Sequence, residues 1–487
     1  MAVAVGVSVR QMSRGGQQAG PASLGDLDAF RSAFYDCLTL RADALFELAD
    51  AVLCAEGPVS TLVGLTLTAE HRRGHGALYD GLGSGRIEVD RLRRSLVNLP
   101  VPRDKQGRIT LAVDVSPWLR PDAATSPDRS FCHVYGRGKS QAQMIPGWPY
   151  SFVAALEPGR TSWTAPLDAL RLSPHDDVTT VTATQLREVI QRLRHAGQHQ
   201  PGDPDILIVS DAGYDVTRLA FLLADLPVEL LGRLRSDRVF CFPPPPRVPS
   251  AAGRPSKHGP EFALAQAATQ PEPHANTLTH TSRYGIARAH GWNRLHPRLT
   301  HRAAWESHQG PLPLIEGSII QLQVDRLPGD RNPQPVWLWY SRPELSDTKV
   351  NRLWRAFLRR FDLEHTFRFL KQTLGWTRPR TRTPEQGDRW TWIIMAAHTQ
   401  LRLARHLTCD LRRPWEKPVT EPHRLTPARI RRGFRNLRPK TTLPASAPKP
   451  SRPGPGRPPG STNRQPAPRH DVGKNATTTP TNKAKEG

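Results

Sequence analysis

The stretch DPDILIVSDAGYD, Asp203–Asp215, decides the fold class. Its apolar residues Ile206–Val209 predict a strand that ends at Asp211, and Gly213 permits a sharp turn after it. A helix is expected around Val216–Ala224 and another strand near Val228–Arg233. Upstream, RITLAVDVSPWL (Arg108–Leu119) places Ile109, Leu111 and Val113 in a β-type run ending on Asp114, with Pro117 as the stop. His133–Leu156 reads as two strands joined by a glycine-rich turn, and Val181–His195 as an amphipathic helix. Strands alternating with helices indicate an α/β core.

Around that core the 487 residues suggest about three domains. Residues 1–25 are expected to be disordered. Residues 26–105 read as an N-terminal helical, candidate DNA-binding domain. Leu27, Phe30, Phe34, Leu38, Leu45, Leu48 and Val52 recur at helical spacings there, and Arg86, Arg91, Arg93 and Arg94 supply a basic face. A helix-turn-helix and plain packing both remain open for it. The core occupies 106–235 and closes with helices over 346–410. A β-rich insertion, 236–345, is expected between them, with strands at Ser318–Leu327 and Val336–Ser341. Thr391–Leu407 reads as a buried final helix, 411–440 as a basic helical segment, and 441–487 as a disordered basic tail.

The chain carries a formal charge of +24, with an isoelectric point near 10.7. Charge of that size points to a polyanionic partner, DNA first. Five scattered cysteines without any CxxC spacing suggest neither a disulfide framework nor a zinc site. The apolar run of MAVAVGVSVRQ is short for a signal peptide, and no window approaches a transmembrane length. The expectation is a cytoplasmic protein of a reducing compartment, with no membrane partner.

Chemistry enters with the carboxylates. Two Mg²⁺ or Mn²⁺ ions held by oxygen ligands can activate an attacking oxygen and stabilise a leaving one in phosphodiester displacement. Asp114 and Asp211 each end a predicted strand, so adjacent strands would bring both to one sheet edge. A single helix running into RRFDLEHTFRFLKQTLGW, Arg359–Trp376, would align Phe357, Arg360, Glu364 and Lys371 on one stripe. Glu364 is then the third metal-facing carboxylate, with Arg360 and Lys371 beside it for DNA phosphates. An amphipathic helix with ordinary i,i+4 charge pairing is the competing reading.

The order Asp114, Asp211, Glu364 with Phe357-x2-Arg360-x3-Glu364-x6-Lys371 resembles the DDE transposases of insertion sequences. It is similar to the Tyr-Arg-Glu-Lys signature of IS4-like enzymes, with phenylalanine replacing tyrosine. LAVDVSPW, IPGWPYSFVAALEPGRTSW, DAGYD, GRLRSDRV and RPGPGRPPGS further resemble the IS701-type group of actinobacteria. The resemblance implies an RNase H-like fold, catalysis by Asp114, Asp211 and Glu364 with two metal ions, and a homodimer in the synaptic complex. It also implies that an insertion tryptophan, Trp337 or Trp339, can stack on a flipped base.

Further DNA contacts are expected from Arg368 on the same helix and from Lys139 in GRGKS (Gly136–Ser140). That segment lacks the first glycine of a phosphate-binding loop, since His133 stands in its place. Arg431 and Arg432 in Leu425–Lys440 are expected on phosphates as well. Gly253–Pro255 and Gly456–Pro458 carry a GRP triplet that fits non-specific tail binding. The alternatives are a catalytically silent DNA-end-binding protein and an RNase H-like nuclease without strand transfer.

Overall fold

The computed structural model describes residues 22–135, 142–159, 161–246, 255–306, 308–327, 333–421, 424–449, 460 and 465–475. The first part is helical: α1 (Leu24–Asp36), β1 (Leu38–Leu40), α2 (Ala42–Cys54), α3 (Leu62–Leu65), α4 (His75–Ser84), β2 (Arg86–Ile87) and α5 (Val89–Asn98). The next run is β3 (Thr110–Leu119), β4 (Ser130–Tyr135), β5 (Ala142–Leu156), β6 (Thr164–Arg171), α6 (Val178–His195), β7 (Ile206–Ser210), α7 (Val216–Leu222) and β8 (Val228–Leu234). Then come β9 (Val239–Cys241), β10 (Glu261–Ala263), β11 (Ala275–Thr281), β12 (Gly285–Pro297), β13 (Gly317–Val324) and β14 (Val336–Tyr340). The chain closes with α8 (Asp347–Arg359), α9 (Phe361–Gln372), α10 (Pro384–Leu403) and α11 (Pro427–Leu437).

The result is a mixed α/β fold around one large mixed sheet, in the order β10-β9-β12-β13-β14-β8-β7-β3-β5-β4, with β11 paired to β12 and β6 to β5. β3, β7 and β8 run parallel, and the other pairings are antiparallel. The central strands are apolar throughout because both faces are covered. Leu207 and Val209 of β7 pack on one side with α1, α2, α9, α10 and α11. Ile206 and Ile208 pack on the other with Leu186, Val189 and Leu193 of α6 and Leu219 of α7.

Five expectations change. β3 does not stop at Pro117 but runs to Leu119. Its parallel partner β7 has ended by then, and Pro117 faces Pro149 of β5, so no donor is missed on the open side. The expected β insertion is no separate body: β14 pairs with β8, and the core sheet continues through β13 and β12. Nor do the first helices stand apart, since Leu27, Leu45 and Leu92 share one core with Ile394 and Phe434. α1 already begins at Leu24, where Ser23 and Asp26 form a capping box, inside the stretch expected to be disordered.

The tail also docks in part. Arg31 Nε donates to the Thr442 carbonyl (3.0 Å), Arg72 to that of Ala445 (3.0 Å), and Ala445 is buried. Further on, the His470 amide donates to the Ala124 carbonyl (2.9 Å) and the Gly473 amide to that of Arg129 (2.7 Å).

Candidate active site

The register of β3 and β7 sets the first two acids. Val113 pairs with Ser210, so Asp114 and Asp211 are the next residues on adjacent parallel strands. They stand side by side where β7 ends. Asp114 is still inside β3, opposite Phe152 of β5, while Asp211 lies in the turn before α7. α7 is seated by Asp215, whose carboxylate accepts from the Arg218 amide (3.0 Å) as an N-cap.

The third acid comes from a broken helix. The expected single stripe does not form, because α8 ends at Arg359 and α9 begins at Phe361. At the junction the Arg360 amide donates to the Phe357 carbonyl (3.0 Å), and the Leu363 amide to that of Arg360 (2.9 Å). These are i→i−3 bonds, a tightened 3₁₀-type step. Arg360 is driven inward there, with its side chain 3% exposed. Its guanidinium lies against the rings of Phe357 (5.8 Å) and Phe361 (5.1 Å).

One guanidinium then meets all three carboxylates. Arg360 Nη1 is 3.1 Å from Asp114 Oδ2, and Nη2 is 3.0 Å from Glu364 Oε1 and 3.6 Å from Asp211 Oδ2. Arg233 approaches the other Asp211 oxygen at 3.9 Å. Asp114 accepts from the Val115 amide (2.8 Å), which fixes its carboxylate. Burial pushes its pKa up to about 6; Arg360 opposes that rise and the Asp211 charge adds to it. Lys371, in the last turn of α9, lies against the Trp376 ring (5.6 Å). Burial brings its pKa down to about 8, and the Asp114 charge works against that fall.

Tyr214, in the same turn as Asp211, lacked an assigned role in the sequence. It is buried beside the acids, and its hydroxyl has no hydrogen-bond partner among the described residues. Burial first, then the neighbouring Asp114 charge, holds this phenol protonated.

The remaining expected contacts scatter. Arg368 is exposed on α9, three and four residues beyond His365 and Glu364. Trp337 and Trp339 are 4% and 0% exposed, with Trp337 packed on Trp292 (5.8 Å) and Phe262 (6.2 Å). Neither ring offers a free face to a base. Arg431 is buried and donates to the carbonyls of Val52 (2.9 Å) and Gly57 (2.6 Å), while Arg432 pairs with Glu416 (2.5 Å). Both are engaged within the protein, Arg431 at the end of α2 and Arg432 on the segment before α11, where it also donates to the Leu411 carbonyl (3.1 Å). Lys139 and the GRP triplets fall wholly or partly outside the described residues.

Among the described residues no three acidic, histidine or cysteine side chains already gather around a single point. Arg360 stands between the carboxylates. The donors are nonetheless hard oxygens, and Asp211 Oδ1 is buried without a hydrogen-bond donor. That set fits an oxygen-seeking divalent ion.

Residues 33–298, more than half of the chain, match the family described as DDE superfamily endonuclease. The chain belongs to that family. The match includes Asp114 and Asp211 and ends before Glu364. DDE endonucleases in general use divalent metal ions and act on DNA. No curated protein matches the chain. Among the described residues no helix is long and apolar enough to cross a membrane.

Proposed function

We propose that this endonuclease-family protein is a DDE transposase of the IS4/IS701-like insertion-sequence group, with an RNase H-like core. It binds the two ends of a mobile element, cuts there, and joins the freed ends to target DNA. The single observation that carries the reading is the convergence of Asp114, Asp211 and Glu364, from two parallel strands and a broken helix, on Arg360.

Asp114, Asp211 and Glu364 would hold two Mg²⁺ or Mn²⁺ ions, which when bound supply activation of the attacking oxygen and stabilisation of the leaving one. Arg360 and Lys371 orient the phosphate to be attacked, and Arg368 holds the strand beside it. In the first step a water oxygen bonds to phosphorus, the bond to the 3′ oxygen breaks, and that oxygen leaves with a proton. In the second the freed 3′-hydroxyl bonds to a target phosphorus and displaces its 3′ oxygen. Positioning and charge stabilisation carry both, with no covalent enzyme intermediate. Two ends held together call for a homodimer, acting at the nucleoid.

The test uses purified protein, Mg²⁺ and labelled DNA carrying both ends of the element, with Asp114→Asn and Glu364→Gln beside wild type. Cleavage with joined products, lost in both variants, is the expected result. Cutting without joining would favour a plain nuclease, and binding without cutting in all three would favour a silent end-binding protein. Undiminished cutting in both variants would remove these acids from the chemistry.

A further inference from the structure

β11 runs alongside α8. The Asn276 amide donates to Asp347 Oδ1 (3.0 Å) at the start of the helix, and three residues later Thr279 Oγ1 donates to Asn351 Oδ1 (3.0 Å). A strand advances roughly 3.3 Å per residue and a helix about 1.5 Å. The strand therefore outruns the helix, and its hairpin turn arrives where α8 gives way to α9. Arg283, in that turn, lies close enough for its charge to act on Asp362 and on His365 of α9. The tip thus stands beside the junction that delivers Arg360 to the three acids.

The tip is also rigidly built. Thr281 Oγ1 donates to the Gly285 carbonyl (2.9 Å) and accepts from the Tyr284 amide (2.9 Å). Gly285 has φ +70°, and a Cβ there would strike Asp325 Cβ at 2.9 Å. Asp325 in turn accepts from the Ile286 amide (2.7 Å), and Arg326 Nη2 donates to the Ser282 carbonyl (3.3 Å). Two arginines, Arg283 and Arg326, are exposed on this scaffold. Arg283 forms no ion pair with a described acid, and its guanidinium lies over the Tyr284 ring at 5.6 Å. Opposite, α9 turns His365 and Arg368 to solvent.

We infer that the β11–β12 tip, through Arg283 and Arg326, and the outer face of α9, through His365 and Arg368, form two walls of a groove for the DNA backbone entering the acid cluster. The inference rests on the reading of the protein as a DNA-processing enzyme. An exposed arginine stacked on its neighbour's ring keeps its donors free for phosphate oxygens. A rigid turn holds them in place without ordering a loop on binding.

The test is equilibrium binding of a labelled duplex carrying the element's end, without divalent cation, across a series of salt concentrations. Wild type is compared with Arg283→Ala/Arg326→Ala, Arg283→Glu and Arg283→Lys, each checked by thermal melting. Each phosphate contact contributes about 0.9 to the slope of log affinity against log salt. The double variant is expected to melt as wild type, to bind roughly 10-fold more weakly, and to lose about 1–2 from that slope. Arg283→Glu should lose affinity more than the alanine change, and Arg283→Lys should retain most of it. A double variant with wild-type affinity and slope would overturn the groove and leave the transposase reading standing. A wild-type protein with no salt-dependent DNA binding would remove both.

Discussion

Arg360 Nη1 lies 3.1 Å from Asp114 Oδ2, and the same guanidinium reaches Glu364 and Asp211. In the absence of an added ion, this is the cation that reaches all three carboxylates, with Arg233 beside Asp211 as well. Removing it would leave three like charges facing one another, Asp114 among them largely buried. Arg360→Ala is therefore expected to lower the melting temperature in metal-free buffer. It should also enlarge the rise in melting temperature on adding Mg²⁺ or Mn²⁺, since the ion replaces the lost charge. Cleavage should fall about 100-fold or more, the scale of losing a fixed charge-stabilising donor. Arg360→Lys should recover little, because an ammonium cannot span the set. Equal metal-induced shifts in wild type and Arg360→Ala would refute the role.

Gly232 on β8 decides how closely α7 approaches the sheet. A Cβ there would meet Val216 Cβ at 2.6 Å and Ser210 Oγ at 2.9 Å. Those residues flank the turn that carries Asp211. Gly232→Ala should cost about 1–3 kcal/mol by overpacking, and the displaced turn should reduce cleavage beyond what the unfolded fraction explains. Denaturant titration beside a cleavage assay at a temperature where the variant is folded separates the two. Full activity in the folded variant would show that the turn absorbs the strain elsewhere.

The sheet edge was legible because apolar runs ending in aspartate, Ile206–Val209 and Ile109–Val113, carry their own signal. Their adjacency was a matter of topology, which local pattern cannot state; the register Val113 to Ser210 supplies it. The break at Arg360 was hidden because i,i+4 spacing looks the same on one helix or on two meeting end to end. Trp337 and Trp339 misled for a related reason. Tryptophan in an alternating strand suits either a stacking platform or a core, and only the covering layer tells which. Arg431 shows the limit of charge counting, since its guanidinium satisfies the carbonyls of Val52 and Gly57 inside the protein.

Because Trp337 packs against Trp292 and Phe262 in the second core, Trp337→Ala should act on stability. Loss of a buried tryptophan costs about 3–5 kcal/mol. The expected result is a markedly lower melting temperature with unchanged DNA affinity in the fraction that remains folded. Binding measured well below the midpoint of the melt checks this. A selective loss of binding to an end with an unpaired terminal base would instead restore a stacking role.

His398 offers a pH dependence that the sequence did not signal. It sits on α10 between the rings of Trp163 (5.7 Å) and Phe369 (6.0 Å), fully buried, and neither ring nitrogen has a hydrogen-bond partner among the described residues. Burial brings its pKa down to about 3, and the positive charge of Arg402 adds to the fall, against the opposing Glu157. A group whose folded pKa is depressed binds its proton more readily in the unfolded chain. Stability from this residue is thus fully present above about pH 6.5 and is lost as pH falls toward the folded value. The loss approaches at most about 1.4 kcal/mol per pH unit within that window. His398→Leu removes the titration and the two unsatisfied nitrogens together. Its melting temperature should fall less between pH 7 and pH 5 than that of wild type, and should exceed wild type at the acid end. Parallel melting curves for the two proteins across that range would mean that the ring takes up its proton in the folded core without penalty.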